Sequence, residues 1–172
     1  MQQNIHLFGG DPSQVTVMGE SAGASSILHH ITAFGNSTQA PFHRAILQSP
    51  AFEPLPDPAT LEATAQDFLS ILGVASIAEA RAKDSAAVIA ANSMQVQQSL
   101  YGSFSYGPAV DNLIAPALPG QLLAQGRFSK NVMIMVGHNQ DEGLLFSDPE
   151  VNTTAALSEF LQMAYPLSLI HI

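Results

Sequence analysis

Apolar residues occur along this chain in short runs that predict alternating strands and helices. Residues 15–18, 44–49 and 131–137 form three such runs. Runs of this length are typical of strands that are buried in a parallel sheet. The small and apolar residues 22–33 predict a helix between the first two runs. Strand, crossover helix and strand together make the βαβ unit of a parallel sheet.

The remainder of the chain predicts mainly helices and loops, so we expect an α/β fold, a mostly parallel sheet with flanking helices. Glycines follow several of the helical segments, as is common at helix ends. Proline and acidic residues indicate a loop at residues 52–58. Glycines and a proline among aromatic residues indicate strand fragments with turns at residues 101–112. The helical patterns cover residues 59–72, 77–83, 86–98, 118–125, 144–146 and 154–164, and residues 2–8 resemble the end of an amphipathic helix.

A nucleophilic serine is predicted where the first apolar run meets the first helix. Gly19, Glu20, Ser21, Ala22 and Gly23 form the Gly-x-Ser-x-Gly pattern, which in this strand–turn–helix context is the nucleophile elbow of an α/β-hydrolase. We expect glycine at both flanking positions because a side chain there would collide with the neighbouring strand or helix. The backbone N–H of Ala22 becomes an oxyanion-hole donor, and the helix N-terminus favours negative charge. The predicted chemistry is ester cleavage through an acyl-serine.

Two acidic residues are candidates for the acid of a catalytic triad. In this fold the triad runs Ser, acid, His along the chain. Asp141 and Glu142 follow the apolar run that ends at Gly137, and open parallel sheets place their sites at the carboxyl ends of strands. A solvated turn, or a helix N-cap at Asp141, is the alternative. Spacing alone does not decide whether Asp141 or Glu142 is the triad acid.

Five blocks of this sequence resemble the type-B carboxylesterases, the cholinesterase-like lipases and esterases. They keep the family's order and approximate spacing, and we expect residues 1–165 to be the central part of one α/β-hydrolase domain. Residues 166–172 match neither the family nor the preceding helix, and we interpret them as adapter-derived or frame-shifted sequence. The matching blocks are residues 4–12, 15–17, 19–24, 44–49 and 137–143.

The resemblance implies a role for each candidate residue. Ser21 is the nucleophile, and Glu142 is the triad acid, which makes Asp141 structural. Glu20 resembles the acidic neighbour of the serine that faces the substrate gorge in this family. The implied substrate is a small-molecule carboxylic ester or a lipid, and the particular ester is not indicated.

The resemblance also implies catalytic parts that this chain does not contain. The base should follow the acid, yet only one histidine does so, too early and in no matching context. The His-Gly-Gly-Gly-type loop that supplies further oxyanion donors belongs upstream of residue 1. We therefore expect a fragment that is inactive alone and poorly stable, because its apolar faces lack partners. The six histidines are His6, His29, His30, His43, His138 and His171.

Composition narrows the classes of partner. Hydrophobic residues make up 47% of the 172 residues and charged residues 11%, as in a well-buried globular protein. The net charge of −9 disfavours nucleic acid. Because there is no cysteine, disulfides, cysteine metal sites and thiol nucleophiles are excluded. The adjacent His29 and His30 lack metal-ligand spacing, so we expect no metal and no cofactor.

The sequence contains no pattern for membrane insertion or for secretion. No apolar run reaches eighteen residues, so no membrane span is predicted, and residues 1–5 carry no signal-peptide pattern. The sequence indicates neither compartment nor oligomeric state.

The rival to an esterase is a cholinesterase-like binding module used for adhesion, which such relatives form after losing the nucleophile. The presence of Ser21 and Glu142 favours the enzyme.

Overall fold

The computed structural model describes residues 2–51 and 58–164. They form three strands, β1 (Thr16–Glu20), β2 (Arg44–Gln48) and β3 (Met133–Gly137). Residues 52–57 of the predicted loop 52–58 lie outside the described residues, and so does the predicted non-matching tail 166–172 with His171. The α-helices are α1 (Ala22–Thr32), α2 (Pro58–Leu72), α3 (Ile77–Arg81), α4 (Ser85–Gln97), α5 (Pro119–Ala124), α6 (Gly143–Phe146) and α7 (Thr154–Ala164), and short 3-10 helices cover Ile5–Phe8 and Ala33–Asn36.

The three strands form one parallel sheet in the order β1-β2-β3. Thr16 pairs with Arg44, and Arg44 pairs with Met133, so the strands start level with one another. The helix α1 makes the crossover from β1 to β2, which confirms the predicted α/β class. Since all strands run the same way, the residues that follow them meet at one edge.

The chain divides into two compact units, and the sheet lies in the first, Met1–Gln66 with Tyr106–Asn139. The core of this first unit forms where α1 packs against β2. The helix buries one face with positions three and four residues apart, and β2 buries alternate residues, as the two periodicities require. The buried apolar side chains of this core are Ala24, Ile27, Ile31, Phe42, Ala45 and Leu47.

The strand β3 is apolar but exposed at all five positions. Met133 is 61% exposed, Met135 66% and Val136 60%. Strands of parallel sheets are normally covered on both faces, but within the described residues β3 is an edge strand with neither face covered. The expected exposure of apolar faces is therefore observed here, and it leaves the apolar side chains of β3 in water.

The second unit, Asp67–Ser105 with Gln140–Ile172, is built from helices in its described part. Gln95 on α4 is 5% exposed, and its amide donates to Oδ2 of Asp67 on α2 at 2.7 Å. Side-chain caps explain where the helices α3 and α4 begin. The Ser76 hydroxyl accepts from the Glu79 N–H at 3.2 Å, and the Asp84 carboxylate accepts from the Ala87 N–H at 2.8 Å.

Two sequence predictions about local structure are wrong. The helix expected over residues 2–8 is only the 3-10 helix Ile5–Phe8, which ends at Gly9 in the left-handed conformation, with φ of 79°. Residues 101–112 form turns and one isolated bridge residue, Ala109, rather than strand fragments. Pro108 lacks the N–H that a strand would require there.

The buried part of α1 predicts a dependence of stability on pH. Desolvation lowers the pKa of His29, and the nearby charge of His30 lowers it further. The folded state then binds fewer protons than the unfolded state, so stability should fall as the pH drops from about 7.5 to about 5.5. His29→Gln should lose less stability over this interval. Urea midpoints at the two pH values test this, and equal losses in both proteins would contradict it.

Candidate active site

Ser21 lies at the junction where β1 ends and α1 begins, as the motif predicts. Its φ of 53° and ψ of −122° are unusual for a residue with a side chain, and such strain costs about 1–3 kcal/mol. Two backbone hydrogen bonds hold the junction. The Ser21 N–H donates to the Gln48 carbonyl at 3.0 Å, and the Ser21 carbonyl accepts from the Ser25 N–H at 3.0 Å. The chain thus turns from strand to helix within one residue.

The two glycines of the motif differ in why they are there. A Cβ on Gly19 would lie 2.5 Å from the carbonyl carbon of Gly23 and 2.8 Å from the Ala24 nitrogen, so no side chain fits. At Gly23 an added Cβ would have no heavy atom of the described residues within 4 Å, apart from its chain neighbours and the adjacent backbone of α1. The expected collision at Gly23 is therefore wrong. This glycine is exposed, and its backbone is the surface that Gly19 packs against.

A matched pair of alanine substitutions tests this difference. Gly19→Ala should destabilise the protein by at least about 2 kcal/mol, because the obstacle is backbone and no side-chain rotation relieves it. Gly23→Ala should change stability by less than about 1 kcal/mol, since it adds a good helix former to α1. Urea unfolding of both variants measures the contrast. Equal destabilisation would contradict it.

A polar cavity of about 400 Å³ lies at the carboxyl edge of the sheet, beside the elbow. The register aligns the last residues of the strands there, Glu20 with Gln48 and Gln48 with Gly137. Ser49 follows in a left-handed conformation, with φ of 47°, and its N–H donates to the Gly137 carbonyl at 2.7 Å. The lining residues are Glu20, Gln48, Ser49, Gly137, His138 and Asn139.

Sequence reasoning placed Glu20 near the site but did not single out Gln48 or Ser49. The signal was present, because the second apolar run also ends at the carboxyl edge of a parallel sheet. Applying the same rule to every strand would have found them. The gorge role implied for Glu20 stays a prediction, although this residue does line the cavity.

The candidate acids lie in the second unit, which resumes at Gln140. Glu142 is half-buried and Asp141 is exposed. Glu142 occupies the N-cap position of α6 without a side-chain cap bond, so the alternative of an N-cap at Asp141 is wrong. Ser21 belongs to the first unit, and its pairing with Glu142 stays a prediction.

Three of the described histidines lie on or directly after elements that border the site. His29 and His30 lie on α1, and His138 follows β3. Nδ1 of His138 lies 2.8 Å from the Asn139 carbonyl oxygen, which only accepts, so a hydrogen bond between them requires the tautomer with the proton on Nδ1. Nothing among the described residues groups three metal-ligating side chains. Likewise, no helix of residues 2–51 or 58–164 has the length and apolarity to cross a membrane.

Comparisons with known proteins agree with this geometry. A model of the carboxylesterase family matches residues 1–170. The carboxylesterase patB of Penicillium expansum is 38% identical over 164 residues, which cover 95% of this chain and 29% of patB. The inactive carboxylesterase-like protein VdtD of Byssochlamys spectabilis is 27% identical, over 99% of this chain and 32% of VdtD.

Solved structures give the same answer for the fold. A thermophilic PNB esterase superposes with a TM-score of 0.78 at 26% identity, over 94% of this chain and 34% of that esterase. The chain thus spans about a third of the length of the proteins it matches. The parallel sheet and the strand–serine–helix junction are those of an α/β-hydrolase, and this chain belongs to the carboxylesterase family.

Proposed function

We propose that the protein to which these residues belong hydrolyses carboxylic esters through an acyl-serine intermediate. The observation that carries the proposal is the left-handed Ser21 between β1 and α1. Its Oγ attacks the ester carbonyl and passes its proton to a histidine base. The tetrahedral intermediate then expels the alcohol, and water releases the acid in a second attack.

The start of α1 supplies part of the stabilisation of the oxyanion. Ala22 is the first residue of this helix, so its N–H has no acceptor within the helix. That N–H points where negative charge develops on the substrate, and the dipole of the 11-residue helix favours the charge. A donor of this kind acts mainly in the transition state.

Glu142 orients the histidine base in this proposal, and Glu20 faces the substrate. The base and the remaining oxyanion donors come from segments outside residues 1–172. Two observations support this arrangement: the chain corresponds to 29% of patB, and the apolar strand β3 is exposed on both faces. The substrate class is a small-molecule carboxylic ester or a lipid.

Covalent labelling of the full-length protein tests the proposal. A fluorophosphonate probe phosphonylates only a serine that a base has activated, so it should label the peptide that carries Ser21, as identified by mass spectrometry. The variant Ser21→Ala should take no label. A wild-type protein that folds but takes no label at Ser21 would refute the esterase and leave the non-catalytic binding module. An inactive carboxylesterase-like protein, VdtD, is among the relatives of this chain.

The isolated chain of 172 residues should behave differently from the full-length protein. We expect no p-nitrophenyl ester hydrolysis above that of its own Ser21→Ala variant, because the base is missing. We also expect a broad thermal transition by circular dichroism, because β3 leaves its apolar side chains in water. A sharp cooperative transition, or turnover that depends on Ser21, would contradict these expectations.

A further inference from the structure

Ser25 lies one helical turn after Ser21 and is 2% exposed. Its backbone N–H donates to the Ser21 carbonyl at 3.0 Å, and its Oγ lies 3.1 Å from the same oxygen. The Oγ also lies 2.7 Å from the carbonyl oxygen of Ala51, beyond the end of β2. The proposed reaction uses no part of this side chain.

The Ser21 carbonyl belongs to the same peptide group as the proposed oxyanion donor. A peptide is planar, so the Ser21 C=O and the Ala22 N–H point in opposite directions from one rigid unit. Whatever fixes the carbonyl therefore fixes the direction of the N–H. The backbone N–H and the hydroxyl of Ser25 both lie within hydrogen-bond distance of that carbonyl.

The second contact of the Ser25 hydroxyl ties the elbow to the chain that leaves β2. One hydroxyl carries one proton, and two carbonyl oxygens, those of Ser21 and Ala51, lie within hydrogen-bond distance of it. Removing the hydroxyl takes away the one donor that these two acceptors share. The Ser21–Ala22 peptide is then held by the Ser25 N–H and loses its link to Ala51.

We infer that Ser25 is a positioning residue, which orients the Ala22 N–H toward the oxyanion of the transition state. This inference rests on the proposed function, since it needs a reaction in which that N–H takes part. The effect is indirect, because the Ser25 side chain is buried and does not reach the substrate. When a donor is turned by a few degrees, its hydrogen bond to the oxyanion of the transition state is weakened more than its hydrogen bond to the ground-state carbonyl.

Ser26 provides a matched control on the same helix. It is exposed, and its hydroxyl donates to the Ala22 carbonyl at 2.8 Å, the same bond to the carbonyl four residues earlier. That carbonyl belongs to the next peptide group, between Ala22 and Gly23. The bond therefore does not set the direction of the Ala22 N–H.

The test compares Ser25→Ala, Ser25→Cys and Ser26→Ala in the full-length protein. For a p-nitrophenyl ester, Ser25→Ala should lower kcat by about 5- to 30-fold and leave KM within about twofold. The inhibition constant of a trifluoromethyl ketone, which forms a tetrahedral oxyanion with the serine, should rise by a similar factor. Ser25→Cys keeps the volume with a weak donor and should resemble Ser25→Ala. Ser26→Ala should match the wild type in all three quantities.

The outcomes separate this inference from the proposed function. If the wild type shows no hydrolysis that depends on Ser21, the function fails and the inference with it. If the wild type is active but Ser25→Ala equals Ser26→Ala, the inference alone is wrong. It is also wrong if Ser25→Ala lowers thermal stability and kcat while the inhibition constant of the ketone stays unchanged, because that result indicates only a packing role.

Discussion

Ser21→Ala in the full-length protein should lower kcat for a carboxylic ester by about ten-thousandfold to a millionfold, with little change in KM. The alanine keeps the elbow but removes the oxygen that forms the acyl-enzyme. The remaining rate comes from substrate binding and the oxyanion donors acting on attack by water. Steady-state hydrolysis of a p-nitrophenyl ester measures this loss, and Ser26→Ala, an exposed serine on the same helix, serves as the control.

Ser21→Gly separates catalysis from strain at the same position. Glycine accepts a φ of 53° without steric penalty, whereas serine and alanine do not. The glycine variant should therefore be as inactive as Ser21→Ala yet more stable than it, by about 1 kcal/mol in urea unfolding. A glycine variant no more stable than the alanine variant would mean that the elbow stores no strain. Retained activity in either variant would remove Ser21 as the nucleophile.

The local sequence pattern predicted the part of the structure that local physics determines. The runs at residues 15–18, 44–49 and 131–137 became β1, β2 and β3, because short apolar β-branched segments fit a parallel sheet. The elbow was predictable because strand, small turn residues and helix follow one another without a gap. Gly19 was correctly expected to exclude a side chain, since the clash arises within the same five residues.

Features that depend on distant parts of the chain were not predictable in this way. Gly23 was expected to exclude a side chain, but which way its Cβ points depends on how α1 is rotated against β1. The role of Ser25 depends on Ala51, 26 residues away, and the pattern of α1 alone marks Ser25 only as a small residue. Ser49 acquires its place in the cavity from the register of three strands.

The choice between the two acids shows the same limit. Spacing left Asp141 and Glu142 equal, and only the family resemblance selected Glu142. In the structure Glu142 is the more buried of the two and precedes α6 directly. A triad acid works from a shielded position, because water around the carboxylate would weaken its hold on the imidazole. The half-buried state of Glu142 therefore supports the selection.

Glu142→Gln should lower kcat of the full-length protein by about a thousandfold to ten-thousandfold, whereas Asp141→Asn should lower it by less than about tenfold. A carboxylate accepts the imidazole N–H, holds the correct tautomer and stabilises the imidazolium that forms, and a neutral amide does none of these reliably. Both substitutions remove one negative charge and keep the side-chain size, so each controls for the other.

The variant Glu142→Gln should also fold normally, because glutamine keeps the size of the side chain and one acceptor oxygen, and the Glu142 side chain does not cap α6. Steady-state kinetics and the rate of fluorophosphonate labelling measure both variants, and labelling should slow in parallel with kcat because it needs the same base. A larger loss in Asp141→Asn than in Glu142→Gln would move the acid to the neighbouring residue. If both variants lose little kcat, the triad acid lies elsewhere in the protein. The tautomer of the base would then depend on a group outside the turn before α6.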